Sequence, residues 1–249
     1  MPRATVTAFL SGFSRRQALR TIELPGGFAA LDDAYPLSYA DNQVFIDGPT
    51  DPAGLPGLVD RALAPLPHRM VTVLDEDMGE ACAPYLTAAG YVHNIYVVML
   101  HEAPVPPAAP TAAPAPLSDF RTALARRWRG FVPDAGEEVI RQLVDRRENR
   151  RRGADVVHFV TARTAAGEPA AWADVYADPA AGVAQIEDLV TAEEHLGRGH
   201  GTAVLHSALH LAADCPTRFL IADSDDWPRH WYARQGFTVI GRMHHFERV

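Results

Sequence analysis

The sequence predicts a mixed α/β fold, and three observations lead to this prediction. Short runs rich in Val, Ile, Tyr and Phe, which are typical of strands, recur along the chain. Stretches with apolar residues three or four positions apart, typical of helices, alternate with them. Segments of Gly, Pro and small residues separate the two kinds of run. The chain has 249 residues, enough for one large domain or two small ones with a core each.

The composition argues against several classes of protein. The formal net charge is -8, from 23 basic and 31 acidic residues, whereas broad affinity for nucleic acid needs an excess of basic residues. No stretch reaches the roughly 18 apolar residues of a membrane span, and the N-terminus "MPRATVTAFLSGFSRR" has no signal-peptide cleavage site. Cys82 and Cys215 lack the spacing of metal ligands. We therefore expect a soluble, cytoplasmic protein with free thiols, no metal, no membrane association and no nucleic-acid partner.

Strands and helices alternate in the first half of the chain. The strand-like runs are "NQVFIDG", "MVTVLD" and "YVHNIYVVMLHE" (42–48, 70–75 and 91–102). The helix-like stretches are "PAGLPGLVDRALAP" and "MGEACAPYLTAAG" (52–65 and 78–90). Gly90 is suited to end the second helix.

A segment rich in proline divides the chain. In "APVPPAAPTAAPAP", residues 103–116, the density of proline excludes a helix or a central strand. We therefore predict an N-terminal unit over 1–102, a linker over 103–116 and a C-terminal domain over 117–249. No first strand is recognised before Ser118.

The second half begins with two predicted helices and continues as a meander of strands. The helices cover 118–129, with Ser118 as N-cap, and 134–149. The later elements are strands at 155–163, 170–178 and 183–191, a helix through Ala213, a strand at 218–223, a helix at 226–236 and strands at 237–241 and 243–249. The helix through Ala213 buries one face, formed by Val204, Leu205, Ala208, Leu209 and Ala212.

A glycine-rich turn precedes that helix. The run "EEHLGRGHGTAVL", residues 193–205, has three glycines at alternate positions. The start of a helix carries unpaired N–H groups and partial positive charge, and it therefore attracts anions such as phosphate. The phosphate loop of nucleotide-binding proteins is excluded because the run has no lysine. The dinucleotide fingerprint is excluded because Val204 stands where its third glycine belongs.

The turn resembles the loop of the GNAT family of N-acetyltransferases, which has the pattern [QR]-x-x-G-x-[GA] between a strand and a helix. Leu196 stands here in place of the usual Gln or Arg. A second motif, "DDWPRHWYARQGF", is similar to another of the family, in which a tyrosine precedes Gly-Phe by four positions. Tyr232 matches that tyrosine, while Asp225 and Pro228 replace a common Asn and Ala. The resemblance covers roughly 118–249 and implies a central mixed sheet flanked by helices.

The resemblance also implies acetyl-CoA as co-substrate, with its pyrophosphate held by backbone N–H groups of the glycine turn. The end of the preceding strand is expected to contact the pantetheine arm and the acetyl oxygen. The residues implied in cofactor binding are Leu189, Val190, Thr191, Leu196, Gly197, Arg198, Gly199, His200, Gly201, Thr202, Asp225, Pro228 and Tyr232.

Transfer of an acetyl group to an amine needs a base, because an ammonium has no lone pair for attack. The strand "AQIEDLVT" carries Glu187 and Asp188, which strand alternation places on opposite faces, so only one faces the cleft. By register with the family Glu187 is the predicted base, and an apolar wall would raise its pKa. Asp188 is the alternative. Tyr232 is the predicted acid that protonates the leaving thiolate.

The first half loosely repeats the second motif. Residues 70–100 have the order strand, helix, Gly-aromatic, strand, with Gly90 and Tyr91 in the place of Gly-Phe. Leu86 occupies the position of the tyrosine, and no alternating glycines are present. This predicts a tandem arrangement in which the N-terminal unit is a truncated, degenerate acetyltransferase-like unit.

Two other patterns receive a structural interpretation. The pair His206 and His210 in "HSALH" is predicted to lie on an exposed helix face, because Ser207 replaces the glutamate of a zinc-protease motif. The basic run 141–152 is predicted to be a solvated helix face, with a substrate-attracting rim as the alternative.

The predicted function is therefore direct acetyl transfer from acetyl-CoA to a primary amine, either a small molecule or a peptide. The alternatives are a non-catalytic protein that binds acyl-CoA and a structural protein that pairs through its N-terminal half. The acceptor is not identified by the sequence. The sequence does not decide the oligomeric state, and a homodimer is one possibility.

Overall fold

The computed structural model describes residues 2–249. In chain order its helices are α1 (Pro2–Gln17), α2 (Leu55–Ala62), α3 (Glu76–Ala88), α4 (Arg121–Phe131), α5 (Glu137–Asp145), α6 (His200–Leu211) and α7 (Pro228–Arg234). Its strands are β1 (Arg20–Leu24), β2 (Gly27–Leu31), β3 (Gln43–Ile46), β4 (Arg69–Val73), β5 (Val92–His101), β6 (Ala112–Pro114), β7 (Val156–Arg163), β8 (Pro169–Asp178), β9 (Val183–Thr191), β10 (Thr217–Asp223) and β11 (Phe237–Arg248). The predicted mixed α/β class is confirmed.

The chain divides into two compact units. The first comprises the residues up to Leu100 together with Ile221–Val249, and the second is His101–Leu220. None of the helices within residues 2–249 has the length and apolarity that a membrane crossing requires. Both cysteines are buried free thiols, as expected.

In the first unit the strand order is β1-β2-β3-β4-β11-β5. Strands β3 and β4 are parallel, whereas β11 runs antiparallel to β4, with Phe246 opposite Val71. Phe246 is fully buried in a core that α2 and α3 cover, which is why the last strand belongs to this unit although the sequence predicts a domain over 117–249. The domain boundaries stay a prediction. The two strands predicted at the C-terminus are one strand, because the backbone stays extended through Gly241 and Arg242.

Helix α3 lies directly on the ring of His244. A Cβ atom on Gly79 would be 2.3 Å from Cδ2 of His244, so only glycine allows this approach. His244 is 2% exposed, and its Nδ1 shares a 2.9 Å hydrogen bond with Nε2 of His93. The missing side chain at position 79 therefore lets a histidine pair form beneath the helix.

We expect Gly79→Ala to destabilise the protein by about 1–3 kcal/mol through overpacking against His244. This would exceed the gain of about 1 kcal/mol that alanine brings to a helix. In a His244→Ala background the obstacle is absent, and the same substitution should be neutral or stabilising. Urea unfolding of the four proteins measures both effects. A stabilising Gly79→Ala in the presence of His244 would contradict the prediction.

In the second unit the strand order is β10-β9-β8-β7-β6. Strands β6 to β9 are successively antiparallel, and β10 is parallel to β9. Helix α6 packs against β7, β8 and β9 and buries the predicted apolar face from Val204 to Ala212. On the other face, Trp172 of β8 packs against Phe120 and Leu124. The sheet of this unit is therefore covered on both faces.

Strand β6 lies inside the segment predicted as a linker. Ala112 pairs with Ala162 of β7, and the oxygen of Ala112 also accepts a hydrogen bond from Ser207 Oγ. The expectation that no strand precedes Ser118 was wrong. An edge strand needs hydrogen bonds on one side only, and so it tolerates the prolines that exclude a central strand.

The helical region after β6 also differs from the prediction in detail. Ser118 is not an N-cap, because it lies in a 3-10 turn, Leu117–Asp119, and α4 begins after Phe120. The predicted helix 134–149 is split into α5 and a 3-10 helix, Arg146–Arg152. Within this 3-10 helix Arg147 and Asn149 are buried.

Candidate active site

The glycine turn forms a cradle of backbone N–H groups at the start of α6. Gly197 and Gly199 have φ angles of +73° and +84°, a conformation that suits glycine. The first helical hydrogen bond runs from Ala203 N to Gly199 O, at 3.0 Å. Within residues 2–249, the N–H groups of the four residues 199–202 donate to no protein acceptor. Four adjacent free donors at a positive helix end are suited to bind an anion such as phosphate.

The cradle lies against the end of β9. A Cβ on Gly201 would be 2.9 Å from Oγ1 of Thr191 and 4.0 Å from a methyl carbon of Leu189. The structure thus brings the predicted residues of the β9 end together with those of the glycine turn. Leu196, which stands where the family has Gln or Arg, is 57% exposed at the margin of the turn.

A bulge interrupts β9 at its two acidic residues. Glu187 pairs with Asp174 of β8, but the next pair along the ladder is Val190 with Trp172. The chain therefore advances three residues on β9, from Glu187 to Val190, while it advances two on β8. Asp188 absorbs the extra residue with a φ angle of +50°, the only positive φ angle of a non-glycine residue between positions 2 and 249.

The bulge places both carboxylates on the same face of the sheet. Glu187 and Asp174 are directly opposite each other, so their side chains share a face. Asp188 reaches the guanidinium of Arg147 at 3.5 Å, and Arg147 also binds Asp174. The expectation that Glu187 and Asp188 lie on opposite faces was therefore wrong, because it assumed uninterrupted alternation.

Glu187 has the properties of a base that works near neutral pH. Burial raises its pKa to about 8, and the negative charge of Asp188 adds to this increase. The side-chain amide of Gln185 donates a hydrogen bond to its carboxyl group and opposes the increase. Such a group can take a proton from an ammonium and release it again.

A buried ionic network, which the sequence did not reveal, lies beside Glu187. Arg147, from the 3-10 helix, donates from Nε and Nη2 to Asp174 Oδ1 at 3.0 and 2.6 Å. The hydroxyl of Tyr176 donates to Asp174 Oδ2 at 2.7 Å. Burial raises the pKa of Asp174 to about 6, against the opposing effect of Arg147. The signal for this network is an aspartate in the otherwise apolar run of β8, because a buried carboxylate needs a partner.

The remaining predicted residues lie in the first unit, around α7. Tyr232 is 9% exposed, and its ring contacts Trp231 and Phe237. Pro228 occupies the first turn of α7, as predicted, and the backbone N–H of Asp225 donates to Asp223 Oδ1 at 2.8 Å. The roles assigned to Asp225, Pro228 and Tyr232 stay predictions.

No group of three or more His, Cys, Asp or Glu residues within 2–249 is arranged to hold a metal ion. In the "HSALH" run, His210 is exposed and Ser207 is buried, where it accepts a hydrogen bond from the N–H of Ala109 at 3.0 Å. Ser207 therefore anchors the proline-rich segment.

Part of the sequence is similar to a known protein family. The acetyltransferase (GNAT) family model matches residues 117–237. This range includes β9, the glycine turn and the motif around Tyr232. No curated protein matches the sequence significantly.

Several solved structures share the fold along most of the chain. A conserved protein of unknown function from Staphylococcus epidermidis is 14% identical, with a TM-score of 0.69 over 92% of this chain and 93% of its own. A GCN5-related N-acetyltransferase from Kribbella flavida is 18% identical, with a TM-score of 0.64 over 99% and 94%. A tandem GNAT protein from the clavulanic acid biosynthesis pathway is 18% identical, with a TM-score of 0.55 over 89% and 78%.

Proposed function

Because the C-terminal half of this chain, residues 117–237, belongs to the GNAT family of acetyltransferases, we propose that the protein is an acetyl-CoA-dependent N-acetyltransferase. The acetyl group would pass directly to a primary amine, without an acyl-enzyme. The likeness to a tandem GNAT protein confirms the tandem arrangement predicted from the sequence.

The observation that carries the proposal is the cradle of four free N–H groups, 199–202, next to the β9 end. These donors fit the pyrophosphate of acetyl-CoA, since each phosphate oxygen accepts several hydrogen bonds. The cradle consists of backbone, so the exchange of Gln or Arg for Leu196 leaves it intact. The β9 end, Leu189 to Thr191, would then contact the pantetheine arm and offer a backbone N–H to the acetyl oxygen.

Glu187 would act as the general base. The ammonium of the acceptor loses a proton to the Glu187 carboxylate, and the freed nitrogen attacks the thioester carbonyl. A C–N bond forms and the C–S bond breaks. The leaving thiolate takes a proton, for which we propose the phenol of Tyr232 as donor.

The surroundings of Glu187 favour a cationic acceptor. Asp174, Asp188 and Glu187 supply three carboxyl groups against the two guanidinium groups of Arg147 and Arg150, so with the base ionised this face of the sheet carries one negative charge in excess. An incoming ammonium is attracted to such a site. Its positive charge would also lower the pKa of Glu187 and thereby favour the ionised, basic form.

Thiol release from acetyl-CoA, measured over a panel of amines, tests the proposed function. The panel contains a polyamine, an amino acid, an aminoglycoside and a peptide with a free N-terminus. The chain has no lysine, since all 23 of its Lys and Arg residues are arginines, so no lysine side chain of its own adds a background. We expect at least one amine to raise thiol release above background and to gain one acetyl group by mass spectrometry.

The same assay separates the proposal from its alternative. Acetyl-CoA binding in calorimetry without turnover of any amine would favour a non-catalytic acyl-CoA-binding protein. Absence of both binding and turnover would contradict the proposed function as a whole.

A further inference from the structure

Arg147 holds a position that the proposed reaction does not yet explain. Its side chain is only 4% exposed although the surrounding run, "RRENRRR" over Arg146–Arg152, is strongly basic. The 3-10 helix turns this one arginine toward the sheet, where its guanidinium lies 5.5 and 5.7 Å from the ring centroids of Phe120 and Phe159. The prediction of a solvated face for this run therefore fails at Arg147.

The guanidinium contacts two carboxylates in different directions. Nε and Nη2 bind Asp174, which is completely buried, and Nη1 is 3.5 Å from Asp188 Oδ2. Asp174 is the cross-strand partner of Glu187, and Asp188 follows Glu187 in the chain. Arg147 thus joins the two residues that flank the proposed base.

The joined residues also define the bulge. Asp188 adopts its φ angle of +50° while its side chain, 43% exposed, is attached to a buried group. A positive φ angle is unfavourable for a residue with a Cβ and persists when surrounding contacts enforce it. The contacts that can hold Asp188 in this conformation are the β8–β9 pairing on either side of the bulge and the ion pair with Arg147.

We propose that Arg147 is a positioning residue of the acetyl transfer: it fixes Asp188 in the bulge, and through Asp188 it sets the orientation and charge environment of Glu187. This inference rests on the proposed function, in which Glu187 is the base. A planar guanidinium is needed because one side chain must donate to two carboxylates that lie in different directions. The ammonium of a lysine can bind Asp174 but cannot at the same time donate to Asp188.

The charged and polar groups around Glu187 determine how a substitution of Arg147 affects the pKa of Glu187. Strand β8 contributes Asp174 and Tyr176, and the 3-10 helix contributes Arg147 and Arg150. On β9 itself the neighbours are Gln185 and Asp188. Among these, Asp188 is the largest source of charge that raises the pKa of Glu187.

A double-mutant cycle with Arg147→Lys and Asp188→Asn tests the proposal. Asparagine keeps the shape of Asp188 and tolerates its backbone conformation. We expect each single variant to lower kcat about 10- to 100-fold, with the KM for acetyl-CoA unchanged. Asp188→Asn should also move the midpoint of the pH dependence of kcat down by about one unit, because it removes the negative charge that raises the pKa of Glu187. Arg147→Lys should move the midpoint up, because Asp188 keeps its charge and loses the guanidinium that offsets it.

The decisive result is the double variant. If Arg147 acts through Asp188, the double variant equals Asp188→Asn in kcat and in pH midpoint. The proposal would be overturned if the kcat losses of the two single variants multiplied in the double variant. It would also be overturned if Asp188→Asn kept the pH midpoint of the wild type. Arg151→Lys is the matched control, since Arg151 lies on the same 3-10 helix but pairs with the exposed Glu148, and it should leave both values unchanged.

Two further measurements keep the test independent of folding and of the proposed function. Thermal unfolding shows whether the Arg147→Lys variant is folded. If it is not, the kcat and the pH midpoint of Asp188→Asn still test the proposal. Carbon-13 NMR titration of the Glu187 carboxyl, without substrates, reports its pKa even if no acceptor amine is found. A downward shift of the Glu187 pKa in Asp188→Asn, an upward shift in Arg147→Lys, and in the double variant the same pKa as in Asp188→Asn support the positioning role. An unmoved carboxyl in both would overturn it.

Discussion

Glu187→Gln is expected to lower kcat about 10²- to 10⁴-fold, because a side-chain amide cannot accept the proton of the acceptor amine. The KM for acetyl-CoA should stay within about twofold, since the proposed phosphate contacts come from residues 199–202. The pH dependence gives a second signature. A protonated Glu187 is inactive, so the kcat/KM of the wild type for the amine should fall as the pH drops below about 8, the raised pKa of this carboxyl in the free protein. The variant should lack this dependence.

Glu168→Gln is the matched control for this prediction. Glu168 is an exposed carboxylate between β7 and β8, and its replacement should change neither kcat nor the pH dependence. Steady-state kinetics from pH 6 to 10, with the amine found in the thiol-release panel, measure both variants. A Glu187→Gln variant with the activity of the wild type would remove Glu187 as the base and leave Asp188 as the alternative.

Gly199→Val is expected to weaken acetyl-CoA binding about 10- to 100-fold. A β-branched side chain strongly disfavours the φ angle of +84°, so the backbone must leave the conformation that aligns the four N–H groups. A hydrogen bond to a charged group contributes about 1.5–3 kcal/mol, and the loss of one such bond accounts for this range. Isothermal titration of acetyl-CoA measures the effect.

Gly167→Val separates this effect from general strain. Gly167 has a φ angle of +85° and, like Gly199, no other group within 4 Å of the added Cβ. The two substitutions should therefore lower the melting temperature by similar amounts. Only Gly199→Val should lose affinity, and equal affinity in the two variants would place the phosphate site elsewhere.

Much of the fold could be predicted from local patterns. The apolar face of α6 follows the helical period, and the strands β7, β8 and β9 are bounded by turn residues, so short-range chemistry suffices to locate them. Strand β6 escaped prediction because three residues of Ala and Pro carry no strand pattern. The spacing of Val6, Phe9 and Phe13, all buried, is the signal that identifies α1.

The candidate site could be predicted only in part. The glycine turn and Glu187 are visible because their function depends on residue types at fixed positions along the chain. The bulge at Asp188 arises from how β8 and β9 pair, which a linear pattern does not contain. The role of Arg147 depends on its contacts with Asp174 and Asp188 on β8 and β9, and within a run of arginines the residue type does not single out this position.

Backbone NMR shows whether the glycine turn binds acetyl-CoA. The amide signals of Gly199, His200, Gly201 and Thr202 are followed while acetyl-CoA is added to the nitrogen-15-labelled protein. We expect these four signals to shift with acetyl-CoA but not with S-acetylpantetheine, which lacks the pyrophosphate. If saturating acetyl-CoA leaves these four signals unmoved, the cradle does not bind the pyrophosphate and the proposed function loses its cofactor site.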